Sequence, residues 1–302
     1  MNVIFMGTPE YAQKILQGLI DESSINVVAV YTQPDKPVGR KKVMTPPLVK
    51  SLAEEKNIDV YQPVRLRDEK TVNELLMIDC DYIVVAAYGQ ILPKAVLEHA
   101  PCINLHASIL PEYRGASPIQ QTLLNGDKHT GVTAMLMEEG LDTGDILTIK
   151  EFEVHSDVMV EELFNSLTLL AKELTLEVLE NFENYVPHKQ DNKKATHCKK
   201  ITKADGEVRF EDALTLYNKF RAFTPWPGVY LENGLKLKKI RLEEKVSSNK
   251  AGEIVAIDND SILVSCKKGS IRIYSVQPSS KKEMDVLSYI NGKRLTIADT
   301  LS

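Results

Sequence analysis

Hydrophobic positions in the first 180 residues fall into two alternating kinds of run. Short, largely apolar stretches at Val3 to Phe5, Val27 to Tyr31, Asp59 to Tyr61 and Tyr82 to Ala87 predict strands. Between them apolar residues recur at helical spacing, as at Ala12, Ile15, Leu16, Leu19 and Ile20, and predict helices over 10–21, 47–56 and 68–77. Further strands are expected at Gly131 to Met137 and Ile146 to Val154. Leu163, Leu167, Leu170, Leu174 and Val178 then predict a long helix over 157–182, capped by Ser156 or Asp157. Apolar strands alternating with amphipathic helices need cover on both faces, which predicts an α/β domain with a Rossmann-like, doubly wound, mostly parallel sheet.

The pattern changes after residue 186. Residues 187–206 are polar, lysine-rich and weakly periodic, the composition of a linker. A helix is expected over 211–222, stopped by Phe223-Thr224-Pro225-Trp226-Pro227-Gly228. Five short strand candidates follow at 229–232, 235–241, 252–257, 261–266 and 270–276, separated by turn signals such as Glu232-Asn233-Gly234. Strands of that number and spacing suggest a small OB-like β-barrel. The expected organisation is a first domain over 1–186, a linker over 187–206 and a barrel over 207–302.

Composition narrows the class. With 302 residues, 43% of them hydrophobic and 26% charged, the chain lies in the globular range. No apolar run approaches the roughly 18 residues of a membrane span, and the N-terminus lacks the basic start of a signal peptide, so a cytoplasmic location is expected. Cys80, Cys102, Cys198 and Cys266 are scattered without a C-x-x-C pair, which argues for neither disulfides nor a metal site. Buried thiols are expected for all but Cys198, which sits in a polar stretch. The net charge of −5 conceals an asymmetry: residues 1–184 hold 15 Lys and Arg against 28 Asp and Glu, and residues 185–302 hold 22 against 14. A basic half joined to an acidic one points to a polyanionic partner.

In doubly wound sheets ligands bind beyond the carboxyl ends of the strands. Gly7-Thr8-Pro9 lies at such a position, without the G-x-G-x-x-G spacing of a dinucleotide site. The chemistry concentrates further on, in Asn104-Leu105-His106-Ala107-Ser108-Ile109-Leu110-Pro111-Glu112-Tyr113-Arg114-Gly115, with Asp142 between Gly140 and Gly144. An amide, an imidazole and a carboxylate can together hold developing oxyanion charge and move a proton, which is the equipment of acyl-type transfer. Each alone has an ordinary structural use in a turn or a core. The loop Thr32 to Pro47 carries four basic residues, one acid and four prolines inside the acidic half, and invites phosphate.

Phe5-Met6-Gly7-Thr8-Pro9, Thr32-Gln33-Pro34-Asp35, Ala87-Tyr88-Gly89, Ile103 to His106, Arg114-Gly115-Ala116, Gly140 to Asp145 and Phe223 to Pro227 run almost the whole length of the chain. Together they resemble the methionyl-tRNA formyltransferase family. The resemblance implies a transfer of the formyl group of 10-formyltetrahydrofolate to the amino group of methionyl initiator tRNA, with no metal. It implies catalytic roles for Asn104, His106 and Asp142, and a folate pocket lined by Gln90, Ile91, Leu92, Ser108, Ile109, Leu110 and Pro111. The basic cluster Arg40, Lys41 and Lys42, with Lys236 and Lys238 of the C-terminal domain, would meet the tRNA; Lys236 and Lys238 are expected on one strand face and Lys239 on the other. A monomer is expected. His197-Cys198 stands where the family carries a tyrosine and a small residue, a difference expected to touch no chemistry. Two other readings fit parts of the pattern, a nucleotide-sugar formyltransferase and a non-catalytic folate-responsive RNA-binding protein. The basic loop argues against the first and the intact Asn104, His106 and Asp142 against the second.

Overall fold

A computed structural model describes residues 1–39, 41–243 and 250–301. The chain divides into two compact units. One comprises Met1–Pro118, His129–Glu153 and Phe164–Cys198; the other comprises Ile119–Lys128, Val154–Leu163 and the chain from Lys199 onward.

The elements up to residue 115 all belong to the first unit. They are β1 (Asn2–Gly7), α1 (Glu10–Asp21), β2 (Asn26–Tyr31), β3 (Lys36–Val38), β4 (Val43–Thr45), α2 (Leu48–Glu55), β5 (Val60–Tyr61), α3 (Glu69–Leu76), β6 (Tyr82–Ala86), α4 (Lys94–Leu97), β7 (Cys102–His106) and β8 (Arg114–Gly115). Helix α5 (Pro118–Asn125) falls almost wholly in the second unit. The first is completed by β9 (His129–Leu136), β10 (Ile146–Glu153), most of α6 (Val160–Glu180) and β11 (His197–Cys198).

Seven strands form one sheet in the order β10-β9-β7-β6-β1-β2-β5. From β7 to β5 every pairing is parallel, while β9 runs antiparallel to β7 and β10 antiparallel to β9. The mostly parallel, doubly wound sheet predicted from the apolar runs is thus present. Its central strands are apolar on both sides because both faces are covered. Ile4, Met6, Ala29, Tyr31, Ile83 and Val85 point to one face, where Leu75, Leu92 and Val96 pack on them. Within this unit α6 buries Leu167, Ala171, Leu174 and Val178 at helical spacing, and the Tyr11 ring of α1 meets Phe164 edge-on.

The strand order reverses at β1, with β2 on one side and β6 on the other, and this switch point puts the loops after β1, β2 and β6 together. Hydrogen bonds knit them. The Thr8 hydroxyl donates to the Tyr88 carbonyl (3.3 Å), as does Gln33 Nε2 (3.1 Å), and the Gln33 amide donates to Thr8 Oγ1 (3.4 Å). Gly7 makes the close approach possible, since a Cβ there would run into Ala12 Cβ and the Ala86 carbonyl oxygen.

The second unit holds α7 (Ala213–Phe223), β12 (Val229–Tyr230), β13 (Lys236–Glu243), β14 (Ile254–Ile257), β15 (Ile262–Ser265), β16 (Ser270–Gln277), β17 (Met284–Asp285) and α8 (Val286–Lys293). Asp212 caps α7 by accepting from the Thr215 amide at 2.8 Å, and Asp285 caps α8 by accepting from Ser288 at 2.7 Å. The strands pair antiparallel in the path β12-β13-β16-β15-β14, with β17 also on β16. The antiparallel strand domain expected here is present; among the described residues no ladder joins the two ends of the path into a closed barrel. Register shifts in β13 around Lys239 change its facing. Leu237 and Ile240 are both buried, so Lys236, Lys238, Lys239 and Arg241 all lie outside, and Lys239 does not point inward as strict alternation would have it. Its ammonium instead stands 5.2 Å from the centre of the Tyr274 ring.

Replacing Gly7 by alanine is expected to destabilise the first unit by about 1–3 kcal/mol through overpacking. Urea unfolding would show it as a lower midpoint with an unchanged slope.

Candidate active site

Strand β7 is buried along its whole length and ends in the site. Asn104 and His106 are two residues apart, so the pleat projects both side chains to one face. They are 8% and 6% exposed. Among the described residues the side-chain amide of Asn104 makes no hydrogen bond. The amide still reaches solvent, so it is left free to bond water or a ligand.

His106 is fixed more tightly. Its Nε2 lies 2.9 Å from the Tyr113 carbonyl oxygen, which can only accept, so Nε2 carries a proton. Nδ1 is therefore the nitrogen at which the ring gains or loses its other proton. It faces Asp142 Oδ2 at 3.7 Å, too long for a hydrogen bond but close enough for strong attraction once the ring is charged. Asp142 is held in the left-handed region at φ 53°, a conformation aspartate tolerates better than most residues. Its Oδ2 also accepts from the Gly115 amide at 2.8 Å.

The stretch 187–206, read from the sequence as a linker, is woven into the first unit as far as Cys198. Ile146 and His188 exchange backbone hydrogen bonds. The Thr196 amide donates to Pro111 O, Arg114 N donates to Thr196 O, and Tyr113 N donates to Thr196 Oγ1. Strand β11 pairs with β8 in parallel register, His197 with Arg114 and Cys198 with Gly115. Gly115 has φ 120° and lies so close to the Cys198 carbonyl oxygen that a Cβ has no room there.

Cys198 departs from both expectations set for it. The thiol is buried, although the residue lies in a polar stretch. It donates to the Tyr113 carbonyl at 3.2 Å, the same oxygen that binds His106, and accepts from Ser117 N at 3.3 Å. The residue thus touches the group that orients the imidazole. Burial raises its pKa, and the nearby Asp142 carboxylate adds to that, so the thiol stays protonated as a donor. Burial likewise pushes Cys102 and Cys266 up to about 12, while Cys80 is half-buried.

The residues expected to line a folate pocket divide by what their side chains already do. Ser108 is fully buried and its hydroxyl donates to the Glu112 carbonyl at 2.6 Å; Leu92 and Leu110 pack in the core. Gln90 holds the neighbouring loop, accepting from Leu66 N and donating to Pro63 O. Ile91, by contrast, is 80% exposed, and Ile109 and Pro111 are half-buried. Only these last three keep apolar side-chain surface open; the side chains of the other four are packed or already bonded.

Of the basic residues, Lys41 and Lys42 are exposed beside the turn of a small antiparallel hairpin, β3 with β4, where the sequence suggested only a loop. Arg40 lies outside the described residues. The hairpin's base is fastened by Asp35, which accepts from Gln62 (2.8 Å) and Lys50 (3.0 Å); these bonds hold its carboxyl below the usual range. Lys236 and Lys238 are half-buried on the outer side of β13. Among the described residues no three His, Cys, Asp or Glu side chains are grouped to bind a metal, and no helix is long and apolar enough to cross a membrane.

Comparison with known proteins gives these features their class. Residues 1–179 match the formyl transferase family and residues 200–294 the formyl transferase C-terminal domain; the chain belongs to that family. Its full-length relatives include methionyl-tRNA formyltransferases. That of Sulfurimonas denitrificans is 66% identical with 100% of both chains covered, and that of a Nitratiruptor species is 55% identical with 99% of both covered. Among solved structures, the N-formyltransferase of Helicobacter canadensis, crystallised with folinic acid and dTDP-3-aminofucose, has a TM-score of 0.69 at 18% identity, covering 91% of this chain and 99% of that one. HypX of Aquifex aeolicus with tetrahydrofolic acid gives 0.61 at 17% identity, covering 98% of this chain, which spans 48% of HypX. At such identities the two structures speak for the fold.

Gly115→Ala is expected to displace either the Cys198 strand or the Asp142 contact. Turnover should fall while a central helix such as α1 keeps its hydrogen-exchange protection.

Proposed function

We propose that the chain transfers the formyl group of 10-formyltetrahydrofolate to the amino group of methionyl initiator tRNA, with Asn104, His106 and Asp142 as catalytic residues. The observation that carries the proposal is the unpaired, nearly buried amide of Asn104 beside an imidazole whose Nδ1 faces a carboxylate. The full-length relatives supply the acceptor. The folate, bound along Ile91, Ile109 and Pro111 and backed by Gln90, Leu92, Ser108 and Leu110, supplies an activated formyl group.

Asn104 Nδ2 donates to the formyl oxygen as negative charge gathers there. His106 Nδ1 takes the proton that the attacking amine must lose, while Nε2 stays bound to the Tyr113 carbonyl so that the ring does not turn. Asp142 stabilises the resulting imidazolium. The bond from the formyl carbon to the new amine forms, the bond to N10 breaks, and the proton held at Nδ1 is the one available to the departing nitrogen. No metal enters these steps.

The catalytic domain read as residues 1–186 carries the chemistry, completed by the part of 187–206 that folds onto it as far as Cys198, and 207–302 bind tRNA. Arg40, Lys41 and Lys42 with Lys236 and Lys238 meet phosphates, which suits the excess of basic residues after position 184. The enzyme works as a monomer in the cytoplasm. A nucleotide-sugar acceptor is the competing reading; the dTDP-amino sugar belongs to a solved neighbour whose likeness speaks for the fold.

Purified protein given 10-formyltetrahydrofolate and charged initiator tRNA should yield N-formylmethionyl-tRNA; product on a nucleotide amino sugar alone contradicts the proposal. Asn104→Ala should lower kcat by about 100- to 1,000-fold, as loss of an oxyanion donor does. Lys41→Ala with Lys42→Ala should flatten the salt dependence of tRNA binding by up to about one unit of slope per lost contact, leaving the KM for folate unchanged.

A further inference from the structure

Arg114 is 4% exposed and the side-chain partners of its guanidinium are neutral amides. Nε and Nη2 donate to Gln190 Oε1 at 3.0 and 2.6 Å, and Nη2 donates also to Asn192 Oδ1 at 2.8 Å. Gln190 passes the connection on, because its Nε2 donates to the Asp142 carbonyl at 2.9 Å and to the Gly144 carbonyl at 2.8 Å. The amide is therefore fully used, its oxygen by one guanidinium and both its hydrogens by two carbonyls. Flipping it would set oxygen against two carbonyl oxygens and NH2 against a cation, so its orientation is determined.

What this clamp grips is the one backbone turn that carries Asp142. The aspartate sits at φ 53° and its carboxylate spans from the Gly115 amide to His106 Nδ1, so a small rotation of the turn carries Oδ2 away from the ring. Among the described residues the carbonyls of Asp142 and Gly144 are held by Gln190, while the next bonded carbonyl, that of Asp145, belongs to the ladder with Leu136. Arg114 and Gly115, adjacent in the chain, hold the turn from two directions, the first through Gln190 and the second through the carboxylate.

We infer that Gln190, oriented by Arg114, is a positioning residue for the transfer step, acting through Asp142 and contacting neither substrate. The inference rests on the catalytic reading of Asp142. Gln190 lies in the stretch that connects the two halves of the sequence, so that stretch takes part in assembling the site as well as joining its ends.

Gln190→Glu tests this with little change of shape. It keeps an acceptor for Arg114 but replaces the two N–H donors by an oxygen that repels the carbonyls of Asp142 and Gly144. Turnover of the full-length enzyme on charged initiator tRNA should fall about 10- to 100-fold, as small misplacements of a reacting group do, with KM for both substrates changed little. In an Asp142→Asn background the same change should cost almost nothing further, since the group it positions is already impaired. Gln190→Ala, with its thermal midpoint measured alongside, repeats the comparison without the added charge. Unchanged kcat in both Gln190 variants, an effect confined to KM, or a full further loss in the Asp142→Asn background overturns the inference. Wild-type turnover in Asp142→Asn alone removes the catalytic reading itself and the inference with it.

Discussion

The carbonyl oxygen of Tyr113 is the point on which the site turns. It receives His106 Nε2 at 2.9 Å and the Cys198 thiol at 3.2 Å, and it can do no more than accept. The assignment of the imidazole protons follows from that one fact: Nε2 is spent on structure, and Nδ1 is left facing Asp142. Tyr113 is itself held by its amide hydrogen bond to Thr196 Oγ1 at 2.8 Å. The segment from His188 to Cys198 thus fastens two loops that are about 30 residues apart in sequence, 110–117 and 142–146, across the end of β7. The hydrogen bonds are individually modest; the two to the Tyr113 oxygen are partly shielded from solvent, whereas the Thr196 bond lies at the surface.

Much of the first unit was legible in the sequence because its signals are local. Helix α1 spans the residues its apolar stripe predicted, and β2, β6 and β10 agree to within a residue or so, since strands buried on both faces read as apolar runs. Short elements escaped for a physical reason. The β8–β11 pair is two residues long on each side and is made by contacts between positions more than 80 apart, which no local periodicity records. The hairpin β3–β4 has all six residues exposed, so it lacks the alternation by which half-buried strands are recognised. Helix α8 is short, with only Val286 and Ile290 buried among its eight residues.

The same distinction separates the legible part of the site from the rest. Asn104 and His106 are neighbours on one strand, and Asp142 stands out between two glycines, so the three could be singled out from sequence. Gln190 and Cys198 offered no such signal, as both lie in a polar stretch whose composition is that of a tether. For the seven residues that the resemblance assigns to a folate pocket, geometry adds what sequence could not: Ile91, Ile109 and Pro111 have side-chain surface to offer, whereas the side chains of Gln90 and Ser108 are already bonded. In the second unit, alternation placed Lys239 on the wrong side of β13 because a bulge lies there.

The account depends most on which imidazole nitrogen of His106 is engaged by the fold and which is left for the proton in transit. Nitrogen-15 NMR of the histidine side chains in the uncomplexed enzyme measures this directly, at a pH where the ring is neutral. The account predicts a proton-bearing, pyrrole-type signal for Nε2 and a pyridine-type signal for Nδ1 of His106, with the pattern lost or mixed when the Tyr113 loop is released by Gly115→Ala. A neutral ring protonated on Nδ1 instead would contradict it, because the nitrogen facing Asp142 would then be a donor already engaged and not the acceptor for the amine proton.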